Sequence, residues 1–152
     1  MITAGIEKFS DVIEAIRPLF PAHWEEVGIF KDRMPLAPRY EVYRAEEAAG
    51  GLVMPILRVD GKVAGYWPHF VGLGLHYGQT LTATMDILYV DPAHRGNGGA
   101  MMLGKCTAAE LKRRGVQAWF AGSKNHKQIE GFLMMLGFEP VETRFARWIG
   151  DS

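Results

Sequence analysis

The first apolar stripe along the chain, Val12, Ile13, Ile16, Leu19 and Phe20, recurs at helical spacing behind Ser10 and Asp11, residues suited to cap a helix. Pro18 and Pro21 limit that helix, and a second is expected over residues 22–31. The stretch Met34-Pro35-Leu36-Ala37-Pro38 then breaks the chain before a short helix over 40–49 that ends at Gly50-Gly51. Two strands follow, 52–59 and 62–70, flanking Asp60-Gly61, a strong hairpin signal. Residues 71–79 contain Gly72, Gly74 and Gly78 and read as a loop, whereas the β-branched and apolar run 80–90 predicts one long strand. Beyond it the pattern predicts a helix over 99–114, a buried strand over 116–121, a helix over 125–136 and closing strands at 138–141 and 144–149.

The long strand runs into the densest chemistry of the chain. After Leu88-Tyr89-Val90-Asp91-Pro92 comes Arg95-Gly96-Asn97-Gly98-Gly99-Ala100, a glycine-rich turn that opens the helix at 99. With little side-chain bulk, backbone N–H groups can converge on an anion, and the helix adds its positive N-terminal end. The turn reads as a cradle for a pyrophosphate or something like it. A P-loop is excluded because Ala100-Met101-Met102 stand where Lys and Ser or Thr would be. A dinucleotide fingerprint is excluded by spacing and by the position of the turn past the middle of the chain.

What the turn does match is R-x-x-G-x-A, with Arg95, Gly98 and Ala100 in the key places behind a hydrophobic strand and a Val-Asp-Pro step. This resembles the acetyl-CoA-binding motif of the GNAT N-acetyltransferase superfamily. Phe132-Leu133-Met134-Met135-Leu136-Gly137-Phe138-Glu139 looks like that family's following segment, in which a helix ends at Leu-Gly-Phe and a strand begins. The resemblance runs from about Thr80 to Trp148. Leu75-His76-Tyr77, Asp86 through Val90, and His23-Trp24-Glu25-Glu26 together look like a branch of the family found in bacteriophage genomes. The resemblance implies one α/β (α+β) domain over residues 1–152, with a mixed, mostly antiparallel central sheet flanked by helices. It also implies that the pantetheine arm of acetyl-CoA pairs with the splayed backbone of Leu88, Tyr89 and Val90, a backbone N–H near Leu88 polarising the thioester carbonyl. Arg95, Gly96, Asn97, Gly98, Gly99 and Ala100 would then hold the pyrophosphate through main-chain N–H groups.

Acetyl transfer to an amine needs a base for the ammonium and an acid for the departing thiolate. Asp86 is the first base candidate: on a continuous strand its side chain would share a face with Leu88 and Val90, and burial in that apolar run would raise its pKa. The opposing reading makes it a structural anchor. His76, with Tyr77 in the glycine loop, is a second candidate, as base, relay or plain loop histidine, and His69 reads as an ordinary strand residue. In many family members a tyrosine four residues before the glycine of Leu-Gly-Phe is the acid, but Leu133 stands there. The acid would then be Tyr89 or Tyr77, or water, or the thiolate leaves unprotonated. The family's asparagine contact to the CoA arm falls at His126 by strict count, with Asn125 adjacent.

Composition trims the alternatives. The chain carries 17 basic and 17 acidic side chains, so general affinity for nucleic acid or anionic membrane is disfavoured. A single cysteine, Cys106, gives neither an internal disulfide nor a zinc site by itself, and no metal is implied; a cytoplasmic protein is expected. The paired methionines 101–102 and 134–135 and the four tryptophans read as core or cleft lining, while Lys124 and Lys127 could attract the adenosine phosphate of CoA. Glu25, Glu26, Glu46 and Glu47 could favour a cationic acceptor or be solvated helix faces. Two functions stand: an N-acetyltransferase acting on a primary amine of a small molecule or protein, or a phage accessory protein that binds CoA or a host partner without turnover. The closing strands, with Phe145 and Trp148, are a candidate homodimer interface, as in related proteins.

Overall fold

Proline and glycine punctuate this chain, and the elements between them are shorter than the apolar pattern predicts. The computed structural model describes residues 1–150. In chain order they form β1 (Ile2–Ile6), α1 (Phe9–Ile16), α2 (Phe20–Val27), α3 (Tyr40–Ala48), β2 (Leu52–Val53), β3 (Pro55–Val59), β4 (Lys62–Tyr66) and β5 (His69–Leu73). Then follow β6 (Leu81–Met85), β7 (Tyr89–Val90), α4 (Gly99–Arg113), β8 (Ala118–Phe120) and α5 (Glu130–Met135). Among the described residues no helix is long and apolar enough to cross a membrane.

The strands form two four-stranded sheets, ordered β1-β3-β4-β7 and β2-β5-β6-β8. All pairs are antiparallel except β6 with β8, which gives the mixed, mostly antiparallel α+β architecture expected. Asp60 and Gly61 both have positive φ, 49° and 80°, the geometry of a tight hairpin matching the twist of β3 and β4. Strand alternation then sorts side chains into two cores. Ile56, Tyr66 and Tyr89 face α1, where Phe9, Val12, Ile13 and Ile16 are buried, while Leu57 and Val90 face Leu103 of α4.

Several expectations are corrected. The N-terminal strand β1 was not legible: it pairs with β3 from Ile2 opposite Val59 to Ile6 opposite Pro55. The strand expected over 62–70 stops at Tyr66 and resumes at His69 in the other sheet, because Pro68 cannot donate to a ladder. The long strand 80–90 divides likewise, β6 in one sheet and β7 in the other. The helix expected over 125–136 is confined to Glu130–Met135. The closing strands are absent: residues 139–147 are exposed, and only Phe138 and Trp148 find cover, against Trp119 at 4.6 Å and Phe30 at 6.0 Å. Pro140 and the charges of Glu139, Glu142 and Arg144 leave that segment without the alternating apolar face a strand buries.

Two histidines are buried in this frame. His69 ties the link between β4 and β5 to β8: its Nδ1 bonds the Trp67 carbonyl at 2.7 Å, and its Nε2 accepts from the Trp119 indole at 2.8 Å. His23 on α2 bonds the Tyr66 hydroxyl through Nδ1 at 2.9 Å. Burial holds both imidazoles near pKa 4, below their ordinary 6.5. The unfolded chain therefore takes up these protons at higher pH than the folded one. Their contribution is fully present above pH 6.5 and is lost as pH falls toward 4, at up to about 3 kcal/mol for each histidine. The urea midpoint is expected to be clearly lower at about pH 5 than at about pH 7.5; equal midpoints would show that these imidazoles are not buried neutral.

Candidate active site

The site begins where the sheets part. The Asp86 N–H donates to the Pro68 carbonyl at 2.9 Å, a last rung after which β7 turns to pair with β4, Tyr89 opposite Tyr66 and Val90 opposite Gly65. Asp91 N–H bonds the Ala64 carbonyl, so the backbone groups of Tyr89 and Asp91 face β4 and those of Leu88 and Val90 face the opposite way. That open edge is one wall of a cavity of about 340 Å³. Of its carbonyls, that of Val90 accepts from Arg95 Nε at 2.7 Å. The N–H groups of Leu88 and Val90 lie on the same edge and are the donors this wall presents.

The cavity is lined by charged groups of both signs. One is Asp86, whose carboxylate accepts a hydrogen bond from the Tyr43 hydroxyl of α3. Burial raises the Asp86 pKa above its ordinary value, and the Tyr43 hydrogen bond partly offsets that rise. Burial also raises the Tyr43 and Tyr89 hydroxyls, keeping both protonated at neutral pH. The cations of the lining are Arg95, Lys124 and Lys127. The Arg95 guanidinium sits 5.7 Å over the Tyr89 ring and forks onto Glu26 of α2 at 2.7 and 2.8 Å. The apolar part of the lining includes Met85, Ile87, Ile129 and Phe132.

The glycine turn leads from Arg95 into α4. Gly96 and Gly98 have φ of 79° and 85°, a left-handed backbone that any other residue would strain to adopt. Gly98 caps α4, and the Asn97 side chain accepts from the Gly99 N–H at 3.1 Å, so the turn directs the positive end of a 15-residue helix at the mouth of the cavity. Ala100 in its first turn lines the cavity.

Of the residues singled out in the sequence, the structure thus brings together Asp86, Leu88, Tyr89, Val90, Arg95 and Ala100, with Gly96, Asn97, Gly98 and Gly99 as the adjoining turn. Asn125 and His126 are exposed and outside the lining, which passes instead through Lys124, Lys127 and Gln128. His76 and Tyr77 are exposed at the opposite end of the β5–β6 hairpin, where Leu73 pairs with Leu81. The five residue steps from Leu81 to Asp86 amount to roughly 17 Å of extended chain. Leu133 points into the core beside Leu57, Trp67 and Leu103, while its neighbour Phe132 lines the cavity. The expected common face of Asp86, Leu88 and Val90 is interrupted, because residues 86–88 belong to neither sheet.

His23 and Tyr43 were missed as site residues. His23 does lie on the apolar stripe of α2 with Phe20 and Val27, a signal of burial. Tyr43 carries no such signal, since its contact with Asp86 spans 43 residues of chain.

Residues 10–138 match the sequence profile of the Acetyltransferase (GNAT) family. No curated protein sequence matches the chain. Among solved structures, the fold is shared with a ribosomal-protein-alanine N-acetyltransferase from Brucella melitensis biovar Abortus 2308 (TM-score 0.76, 16% identity, 99% of each chain covered). It is shared with an aminoglycoside acetyltransferase from an uncultured soil metagenomic sample (TM-score 0.74, 15% identity, 99% of each chain). A predicted acetyltransferase with acetyl-CoA from Clostridium acetobutylicum also has it (TM-score 0.67, 15% identity, 97% of this chain and 96% of that one). With a family profile matched over most of its length and the splayed edge and glycine turn just described, the chain belongs to the GNAT acetyltransferase family.

Proposed function

We propose that the protein is an N-acetyltransferase that moves acetyl from acetyl-CoA to a primary amine by direct attack, within one cofactor-binding domain spanning the chain. The observation that carries this reading is the juxtaposition of a buried carboxylate, Asp86, with the donor edge of Leu88 and Val90 in one cavity whose lining also holds Arg95, Lys124 and Lys127. In it the pyrophosphate lies on the turn from Arg95 to Ala100, Lys124 and Lys127 attract the remaining phosphate, and the pantetheine arm follows the open edge of β7. The N–H near Leu88 receives the thioester oxygen, where negative charge develops in the transition state.

Asp86 takes one proton from the acceptor ammonium. The neutral nitrogen attacks the thioester carbonyl carbon, the C–S bond breaks, and the second nitrogen proton is lost as the amide forms. Tyr89 supplies a proton to the departing thiolate and is restored by the one the nitrogen releases, so the products are the acetamide and CoA thiol. Leu133 lies in the core and Tyr77 at the remote hairpin tip, so this reading gives the acid's role to Tyr89, which borders the cavity. The inward-facing Leu133 also favours a second reading, a phage accessory protein that holds CoA or a host partner without turnover.

Calorimetric titration with acetyl-CoA, alongside thiol release with an amine panel, tests the proposal: binding with amine-dependent release is expected, and no binding would overturn it. Asp86→Ala is expected to lower kcat/KM by about 10²- to 10⁴-fold while acetyl-CoA affinity is retained. A protein acting only by association would be indifferent to that substitution. Tyr43→Phe removes the hydrogen bond that lowers the Asp86 pKa, so that pKa rises further. The base must be ionised to act, so the acid limb of the kcat/KM profile is expected to move to higher pH in Tyr43→Phe. An unmoved limb would mean that another group limits the rate.

A further inference from the structure

The strand that carries the donor edge is held by its sheet on one side only. β7 is two residues long and pairs with β4, while residues 86–88 before it belong to neither sheet. On the β4 side the backbones come so close that a Cβ at Gly65 would stand 2.7 Å from the Tyr89 carbonyl oxygen. On the cavity side the Val90 carbonyl accepts from Arg95 Nε at 2.7 Å. Two ladder pairs make a short hinge, so the tilt of the edge depends on what grips it from that second side.

The grip is itself held. Arg95 Nη2 donates to both oxygens of Glu26, at 2.7 and 2.8 Å, and the guanidinium lies 5.7 Å over the Tyr89 ring. The two side chains are 34% and 24% exposed, so solvent and salt screen their attraction less than at an open surface. Glu26 follows His23 by three residues on α2, which puts both on one face of the helix. His23 Nδ1 bonds the hydroxyl of Tyr66, the residue opposite Tyr89 in the ladder, at 2.9 Å. A closed circuit thus runs from β7 through Arg95 and Glu26 to α2, through His23 to Tyr66 of β4, and across the ladder back to β7.

The circuit denies Arg95 an alternative. A guanidinium forks onto phosphate as well as onto carboxylate, so one released from Glu26 would turn to the cofactor's phosphates and leave the Val90 carbonyl. We propose that Glu26 is a positioning residue for acetyl transfer: by holding Arg95 on the Val90 carbonyl and over the Tyr89 ring, it fixes the edge that receives the thioester oxygen and withholds the guanidinium from phosphate. This role presupposes the acetyl transfer proposed above, in which main-chain N–H groups of the turn hold the pyrophosphate. A reacting group misplaced by about 1 Å costs about 10²-fold in rate, so an edge gripped on one side only would still bind cofactor and polarise it poorly.

The test needs no knowledge of the acceptor. Acetyl-CoA isotope-labelled at the acetyl carbonyl is bound to the full chain, its affinity read by calorimetry and its thioester carbonyl stretch by infrared difference spectroscopy. In the unaltered protein the stretch is expected below that of free acetyl-CoA, because the edge N–H polarises the bond. Glu26→Gln is expected to return it toward the free value while Kd stays within about threefold. Arg95→Lys keeps the charge without the fork, and serves as the second variant should Glu26→Gln not fold; it is expected to do the same, and the double variant to go no further than either alone. A stretch unmoved in the variants overturns this inference and leaves acetyl transfer intact. Acetyl-CoA binding at least about tenfold tighter in Glu26→Gln, with the stretch kept, also overturns it, since Glu26 would then merely compete with phosphate for Arg95. An unshifted stretch in the bound, unaltered protein overturns it as well, whereas absence of binding overturns it together with the reading on which it rests.

Discussion

The hydrogen bond from the Asp86 N–H to the Pro68 carbonyl, 2.9 Å long, is the point on which the architecture turns. On one side of it β5 and β6 pair in one sheet; on the other β4 and β7 pair in a second. Pro68 makes the parting obligatory, since it has no N–H with which to continue a ladder. A short strand with an open edge is a liability that invites pairing with whatever is near. Here the liability is managed by local side chains: Arg95 occupies the Val90 carbonyl, and His23 lines the cavity beside the edge. The N–H groups of Leu88 and Val90 are left as the donors of that edge.

The links between the sheets are one to three residues long: Met54, Trp67-Pro68 and residues 86–88. His69 fixes the second of them to its own sheet, bonded to the Trp67 carbonyl in the link and to the Trp119 indole on β8. The rings of Trp67, Trp119 and Phe138 pack beside it, the first pair tilted with centroids 5.2 Å apart and the second edge-on at 4.6 Å. Tyr43 braces the other flank by holding Asp86 from α3. These are buried polar contacts of the kind that are individually modest when made and expensive when broken, which makes the geometry of the break specific.

What could be read from the sequence was whatever is local. The turn from Arg95 to Ala100 and the Asp60-Gly61 hairpin declare themselves within six residues, because their backbone angles depend on glycine at fixed places. Asp86 was legible as a carboxylate stranded in an apolar run. The parting itself was not, although Pro68 was visible, because Thr80 through Val90 is apolar and β-branched throughout, and nothing in periodicity marks a strand that changes partners. Strand β1 was hidden for a related reason: Thr3 and Gly5 weaken its pattern, and its partner lies more than fifty residues away. His23 and Tyr43 each act across 43 residues, a distance at which a single sequence carries no signal.

Burial at the break ties stability and chemistry to the same side of neutrality. Folding keeps His23 and His69 uncharged, so acid weakens the frame as pH drops below their ordinary pKa of 6.5. It also raises the pKa of Asp86, so acid removes the ionised carboxylate earlier than it would from an exposed aspartate. An ammonium acceptor moves in the same direction, since the fraction ready to lose its proton grows with pH. No compensating group on the cavity wall profits from acid: Glu26 needs its charge to hold Arg95, and Arg95 in turn covers the Val90 carbonyl. The apolar setting that raises the Asp86 pKa is thus the setting that ties the folded site to neutral and alkaline conditions.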